Sequence, residues 1–145
     1  MPTVPTTTLW RRLAALLYDL FPLLGLWMFV AALLLATVHG DIDAAHPPPV
    51  YQWALRSALL TVTAAYFVVS WARGGQTIGM RAWRIRVVAS DGARLPWSRA
   101  LLRFLVALVS LGACGLGFAW CLVDRQRRAW HDLAAGSRVA RLDRD

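Results

Sequence analysis

The chain holds neither lysine nor glutamate. All of its acidic charge is eight aspartates and all of its basic charge is sixteen arginines. Charged residues make up only 17% of its 145 residues, against 58% apolar, which is little polar surface for a soluble domain. It lacks a glycine-rich phosphate loop, a Ser/His/Asp constellation with workable spacing and a metal-ligand quartet, so an enzyme has no support and no cofactor is expected. It also lacks any RNP, helix-turn-helix or zinc-finger pattern. The formal charge of +8 and pI near 11.2 are therefore not read as a nucleic-acid signal. Cysteine is nearly absent. On one helix Cys114 and Cys121 would stand ~10 Å apart, beyond disulfide reach. Both read as packing residues rather than as a redox or metal pair, although a turn between them would leave their distance open.

What is present is apolar length. Leu13 to Val38 is a run of 26 residues whose single formal charge is Asp19. A bilayer core takes ~20 apolar residues as a helix. The run is too long for a signal-peptide core of roughly 7–15 residues, so the first transmembrane helix is placed at about 12–38. Asp19 lies about 9 Å inside it at ~1.5 Å per residue, where an ionised carboxylate costs on the order of 2.5–3.5 kcal/mol and calls for a partner. Arg12 is on the same helix face, two turns earlier. Pro22 cannot donate to the Tyr18 carbonyl, so Tyr18, Asp19 and Pro22 together form a kink and a candidate cation or proton site. A purely structural salt bridge with a proline kink is the competing reading.

A second span is expected at about 51–72. Tyr51, Trp53 and Trp71 suit the interfaces, Arg56 can snorkel, and Ser57, Thr61 and Ala65 form a small-residue seam for helix packing. Between the spans, His39, Asp41, Asp43 and His46 read as a solvated, proline-rich loop more than as metal ligands. Residues 1–8 are polar and proline-broken, a flexible tail preceding a single membrane module over 9–142. From 73 to 98 a loop carries near-alternating Arg84-Ile85-Arg86-Val87-Val88, then Ser90-Asp91-Gly92. This predicts a β-hairpin over 84–95, with 137–142 as a possible third strand. Residues 99–123 are a third apolar segment, charged only at Arg99 and Arg103 and broken by Gly112, Gly115 and Gly117. A polar tail follows over 124–145.

Arginine counts set the expected topology. The 39–52 loop has none, the 73–103 segment has seven and the residues after Val123 have six. The amino terminus, the hairpin and the tail are therefore expected in the cytoplasm. A third crossing would expel the tail arginines, whereas a re-entrant hairpin turning at the glycines keeps them inside, and both alternatives stay open here. The fold class is thus an all-α integral membrane protein with two full spans, a third apolar segment and a small cytoplasmic β-hairpin. Its arginines would face anionic lipid headgroups.

These features together resemble the RDD family of small membrane proteins. The likeness rests on Arg12-Leu-Ala-Ala15-Leu-Leu-Tyr-Asp19, on Gly75-Gln-Thr-Ile-Gly79 leading to Arg86-Val87-Val88, and on Asp91-Gly92. It continues through Arg103, Gly115-Leu-Gly-Phe, Asp124 and Arg128-Ala-Trp-His131-Asp132-Leu-Ala-Ala-Gly136. The resemblance implies that the family's eponymous Arg and two Asp are Arg12, Asp19 and either Asp132 or Asp124. It further implies a bacterial cytoplasmic-membrane module, either an oligomeric transporter or cation/proton antiporter component using Asp19, or a non-transporting scaffold or assembly factor. A second copy or another membrane protein is the expected partner. His131 and Asp132 have the chemistry of a proton relay but more often serve to orient arginines. Asp19 is expected to pair with Arg103, since both lie shallow in the cytoplasmic half and helical side chains point toward the helix amino terminus.

Overall fold

Apolar runs punctuated by proline and glycine become long helices with defined ends. The computed structural model describes residues 7–38, 43 and 46–142. Helix α1 spans Leu9–Thr37 with Pro22 inside it, and α2 spans Pro49–Gly74. Proline at the first position of α2 loses no intrahelical bond, and Gly75 ends the helix in the left-handed region. Both helices are long and apolar enough to cross a bilayer, with mean hydropathies of 2.2 and 1.4. A short helix α3 (Ile78–Ala82) and strand β1 (Ile85–Ala89) follow. Then come α4 (Trp97–Gly112), α5 (Leu116–Ala119, extended by a 3-10 turn to Leu122), α6 (Trp130–Ala134) and β2 (Ser137–Arg141).

The third apolar segment is bent, with α4 and the 116–122 helix meeting at 109°. Cys114 and Gly115 sit at positive φ in the corner. Gly117 then lets α5 fold against α4 and α6, because a Cβ there would lie 2.7 Å from Ser110 Cβ and 2.8 Å from Trp130 Cε3. Both cysteines are free, Cys114 exposed and Cys121 buried.

The sheet differs from the expected local hairpin. Residues 93–95 form no strand. β1 instead pairs antiparallel with β2, Val87 opposite Val139 and Ala89 opposite Ser137. The Ser-Asp-Gly segment does make a tight turn, Ala89 accepting from Gly92 N at 2.9 Å. Leu95 and Pro96 then leave to start α4, so the strand partner comes from the tail. Two further expectations change. Thr7 is buried and donates its hydroxyl to Val139 O at 3.1 Å, so the amino-terminal tail is fastened by residue 7, and residues 1–6 lie outside the described ones. Ser57, Thr61 and Ala65 face outward, and α2 packs inside through Thr63, Phe67 and Trp71, on the opposite side of the helix.

The core gathers at one end of the helices. Phe67, Trp71 and Phe104 stack between α2 and α4, with ring centroids 5.3 and 6.3 Å from Phe67. Ile85, Val87, Ala89, Leu95 and Val139 continue the core into the sheet. The start of α1, the end of α2, the start of α4, the sheet and the tail thus form one cap.

Candidate functional site: two buried aspartates

The cap contains two carboxylates withdrawn from solvent, Asp19 at 1% and Asp132 at 0% exposure. They are held by opposite chemistry.

Asp19 is held by neutral donors. Its Oδ1 accepts from Tyr66 Oη at 2.7 Å and from the Gly79 amide at 2.8 Å, and its Oδ2 accepts from Thr77 Oγ1 at 2.5 Å. Thr77 also caps α3, accepting from Met80 N at 3.2 Å. The Gly75–Gly79 loop is built for this approach. Gly79 runs so close to α1 that a Cβ would strike the Ala15 carbonyl, its carbon at 2.9 Å, and stand 3.0 Å from Asp19 Cγ. The expected Arg103 partner is not used here. The loop returning from α2 brings two donors, Thr77 and the Gly79 amide, and α2 itself supplies the third, Tyr66. Both carboxylate oxygens are engaged by Tyr66, Thr77 and Gly79, Tyr18 itself is 49% exposed, and α1 continues unbroken through Pro22.

Asp132 is held by charge. Arg12 of α1 donates to its Oδ2 and Arg103 of α4 to its Oδ1. The Ala129 amide adds a bond to Oδ2 at 2.9 Å, tying the head of α6. Each arginine is fastened a second time, Arg12 Nη2 to the Arg127 carbonyl at 2.9 Å and Arg103 Nη1 to Ser137 Oγ at 2.7 Å. Arg127 adopts positive φ (53°) where it presents that carbonyl. The Arg103 guanidinium also lies over the Trp71 ring, 5.0 Å from its centroid. Burial pushes the Asp132 pKa up, but Arg103 and Arg12 outweigh it and hold the carboxyl well below its usual range. His131, at 5% exposure, is pushed down to about 3 by burial and by Arg103, so its ring is neutral at physiological pH. Its edge stands 3.7 Å from Asp132 and its ring packs on Phe118.

Asp124 stands apart from both sites. It accepts from Arg128 N at 2.9 Å and Arg128 Nε at 3.2 Å, closing the 124–128 turn, and those bonds hold its pKa below the usual range. Of the two candidates for the family's second Asp, Asp132 is the one bonded to Arg12. In the loop between the long helices, His46 Nδ1 lies 3.1 Å from Asp43, while His39 and Asp41 lie outside the described residues. Among the described residues no cluster could hold a metal ion.

A cleft of about 470 Å³ adjoins both aspartates. Helices α1 and α4 each pack on α2 but make little direct contact with each other, and the cleft is the wedge between them. Leu13, Leu16, Phe104, Leu108, Leu111 and Phe118 form its apolar walls, with Arg12, Arg103 and His131 at the cap end.

Sequence reasoning missed Tyr66, Thr77 and Gly79 as partners of Asp19. A signal was present, since the Gly-Gln-Thr-Ile-Gly loop carries a helix-capping threonine between two glycines just beyond a span. No curated protein and no solved structure matches the chain. A family model described as the RDD family matches residues 6–136, a stretch that contains both aspartates and both arginines. The two apolar helices fit an integral membrane protein, and with nearly its whole length matched, the chain belongs to the RDD family.

Proposed function

We propose that this protein is a non-enzymatic scaffold module of the bacterial cytoplasmic membrane, in which two buried aspartates fasten an arginine-rich cap to the spanning helices. One observation carries this reading. Asp19, the only charge in the first apolar run, is buried with both oxygens engaged by Tyr66, Thr77 and Gly79. A carboxylate that loads a cation or proton in transport must exchange with water, whereas one that holds a fold need not. Exposed Arg84, Arg86, Arg94, Arg125 and Arg141 give the cap a face suited to anionic headgroups. The outward Ser57–Thr61–Ala65 edge is left for a second copy or another membrane protein.

The orientation belongs to the same proposal. The arginine-rich cap lies in the cytoplasm, the 39–52 loop lies outside, and 97–122 enters and returns without crossing. Its support is the arginine count together with the 109° bend and the return of α6 and β2 to Arg103 and β1. Reporter fusions after Asp145 and within the 39–52 loop should report opposite sides, and an external signal at Asp145 would defeat the re-entrant arrangement.

The transport reading keeps one observation of its own, since Asp19 and His131 both line the cleft. Sodium and proton flux in proteoliposomes separates the two. Wild type and Asp19→Asn should both match empty vesicles. Flux that disappears in Asp19→Asn would overturn the scaffold assignment.

A further inference from the structure

The cleft between α1 and α4 has walls and an end of different character. Its apolar walls include Leu16, Leu108 and Leu111, and its cap end is formed by Arg12 of α1, Trp71 of α2, Arg103 of α4 and His131. Leu13 and Leu111 line it and are still 50% and 68% exposed, so it opens between α1 and α4. At the cap end, three N–H groups from three helices have no acceptor among the described residues: Arg12 Nε, Trp71 Nε1 and Arg103 Nε. The residues that carry them are 7%, 6% and 1% exposed. A buried donor without a partner is destabilising, so three together around one opening call for acceptor oxygens from a ligand.

Charge decides which oxygens. Arg12 and Arg103 both bond Asp132, and with Asp19, which is held nearby by neutral donors, the four buried formal charges sum to zero. A free carboxylate brought into this site would be a fifth charge with no counter-ion. Neutral carbonyl oxygens meet the donors without that cost. The volume falls within the range of ligand pockets, ~300–1,000 Å³, and the medium at the opening of a spanning helix pair is lipid.

We propose that this cleft binds one membrane phospholipid, an acyl chain lying along Leu16, Leu108 and Leu111 and its ester carbonyls accepting from Arg12, Trp71 and Arg103. The lipid is then a structural ligand that completes the hydrogen bonding of the cap. The proposal is independent of the scaffold reading, because a flux-carrying protein would hold the same lipid.

Native mass spectrometry of the full chain in detergent, titrated with palmitoyl-oleoyl phosphatidylglycerol, tests it. Binding should saturate at one lipid per chain. The dialkyl ether analogue, identical except for its missing carbonyls, should bind about tenfold more weakly, and palmitate should not compete. Ala107→Trp, which fills the α4 wall, should abolish the saturable site. Equal affinity of ester and ether lipids, displacement by palmitate, or unsaturable binding would each overturn the proposal. The ester–ether comparison uses wild-type protein and so stands even if Ala107→Trp fails to fold.

Discussion

Asp19 and Asp132 are the same residue type, equally buried, and solve the burial problem in different ways. Asp19 is satisfied by two hydroxyls and an amide, all neutral. Asp132 is satisfied by two guanidinium groups and an amide. The difference follows from where each sits. Asp19 lies in a spanning helix, where a returning loop can supply short, stiff donors. Asp132 lies in the tail, where it must gather arginines from α1 and α4 that would otherwise be buried charges themselves. The Asp19 cage joins neighbours in the fold, α1 to α2 and α3. The Asp132 cage joins the two ends of the sequence, Arg12 to Asp132 across 120 positions. One site is a local clasp and the other closes the whole molecule.

The sharpest way to break the comparison is to neutralise each aspartate with its isostere. Asp132→Asn leaves two arginines buried against a neutral group. Breaking a buried ionic site costs roughly 3–5 kcal/mol in soluble proteins, so this variant should lose most of its thermal stability in detergent. Replacing Arg103 as well, in Asp132→Asn/Arg103→Met, should recover part of the loss. A double variant that loses the sum of the two single losses would mean that the ion pair is not the closing element.

Acid should act on the same site. The His131 pKa lies at about 3 in the folded protein, below its ordinary unfolded value of about 6.5. The unfolded chain therefore binds the extra proton between those values, and stability falls as pH drops through that window. At pH 4.5 the expected loss is about 2–3 kcal/mol relative to pH 7. The depressed carboxyl of Asp132 adds loss in the same direction only at pH below about 4, the ordinary carboxylate range. Unfolding midpoints from pH 7 to pH 4.5 should decline in wild type and flatten in His131→Gln. An equal decline in both would place the acid sensitivity elsewhere.

The contrast also marks what the sequence could reveal. The two spans were legible because an apolar run of more than 20 residues has few other uses, and their ends fell within a few residues of Leu9–Thr37 and Pro49–Gly74. Strands β1 and β2 were legible from alternation, and 137–141 does join the 85–89 strand, but the local return strand expected at 93–95 does not form. Period-two patterning says that a strand exists and which face it buries, while the neighbour is fixed by where the chain ends are brought together. The two arginines were visible as unusual charges near apolar runs, but a charge in a sequence does not name its partner. Arg103 was assigned to Asp19 by depth and side-chain direction, and it went to Asp132 because α6 packs on α4. Tyr66 and Thr77 were missed as partners for a related reason. They lie 47 and 58 positions from Asp19; Tyr66 meets it because α2 packs on α1, and Thr77 because Gly79 lets α3 touch Ala15.

Asp19→Asn should cost less than Asp132→Asn, about 2 kcal/mol, since the carboxamide oxygen still accepts from Tyr66 and Gly79 and only the Thr77 hydroxyl must turn to accept from the new amide. The ranking matters more than the value. If Asp19→Asn proves the more damaging, the neutral cage holds the fold more firmly than the ionic one, and the local clasp rather than the closing pair dominates the cap.

The smallest expected effect refines the Asp19 cage itself. Tyr66→Phe removes one donor and leaves the ring, whose packing on Phe67 at 5.2 Å is retained. The carboxylate keeps Thr77 and Gly79, but Ile78 N loses its acceptor, the Tyr66 hydroxyl at 3.3 Å. Ile78 is exposed, so that amide can be satisfied from outside, and the net loss should be about 1 kcal/mol, the scale of a single hydrogen bond. In an Asp19→Asn background the same change should cost less, because the hydroxyl then donates to a neutral amide oxygen instead of a carboxylate. Thermal unfolding of the two single variants and the double variant in one detergent gives the coupling directly. A coupling near zero would mean that Tyr66 and Asp19 do not interact, and the cage would reduce to Thr77 and Gly79, the two donors supplied by the loop that Gly79 allows to dock.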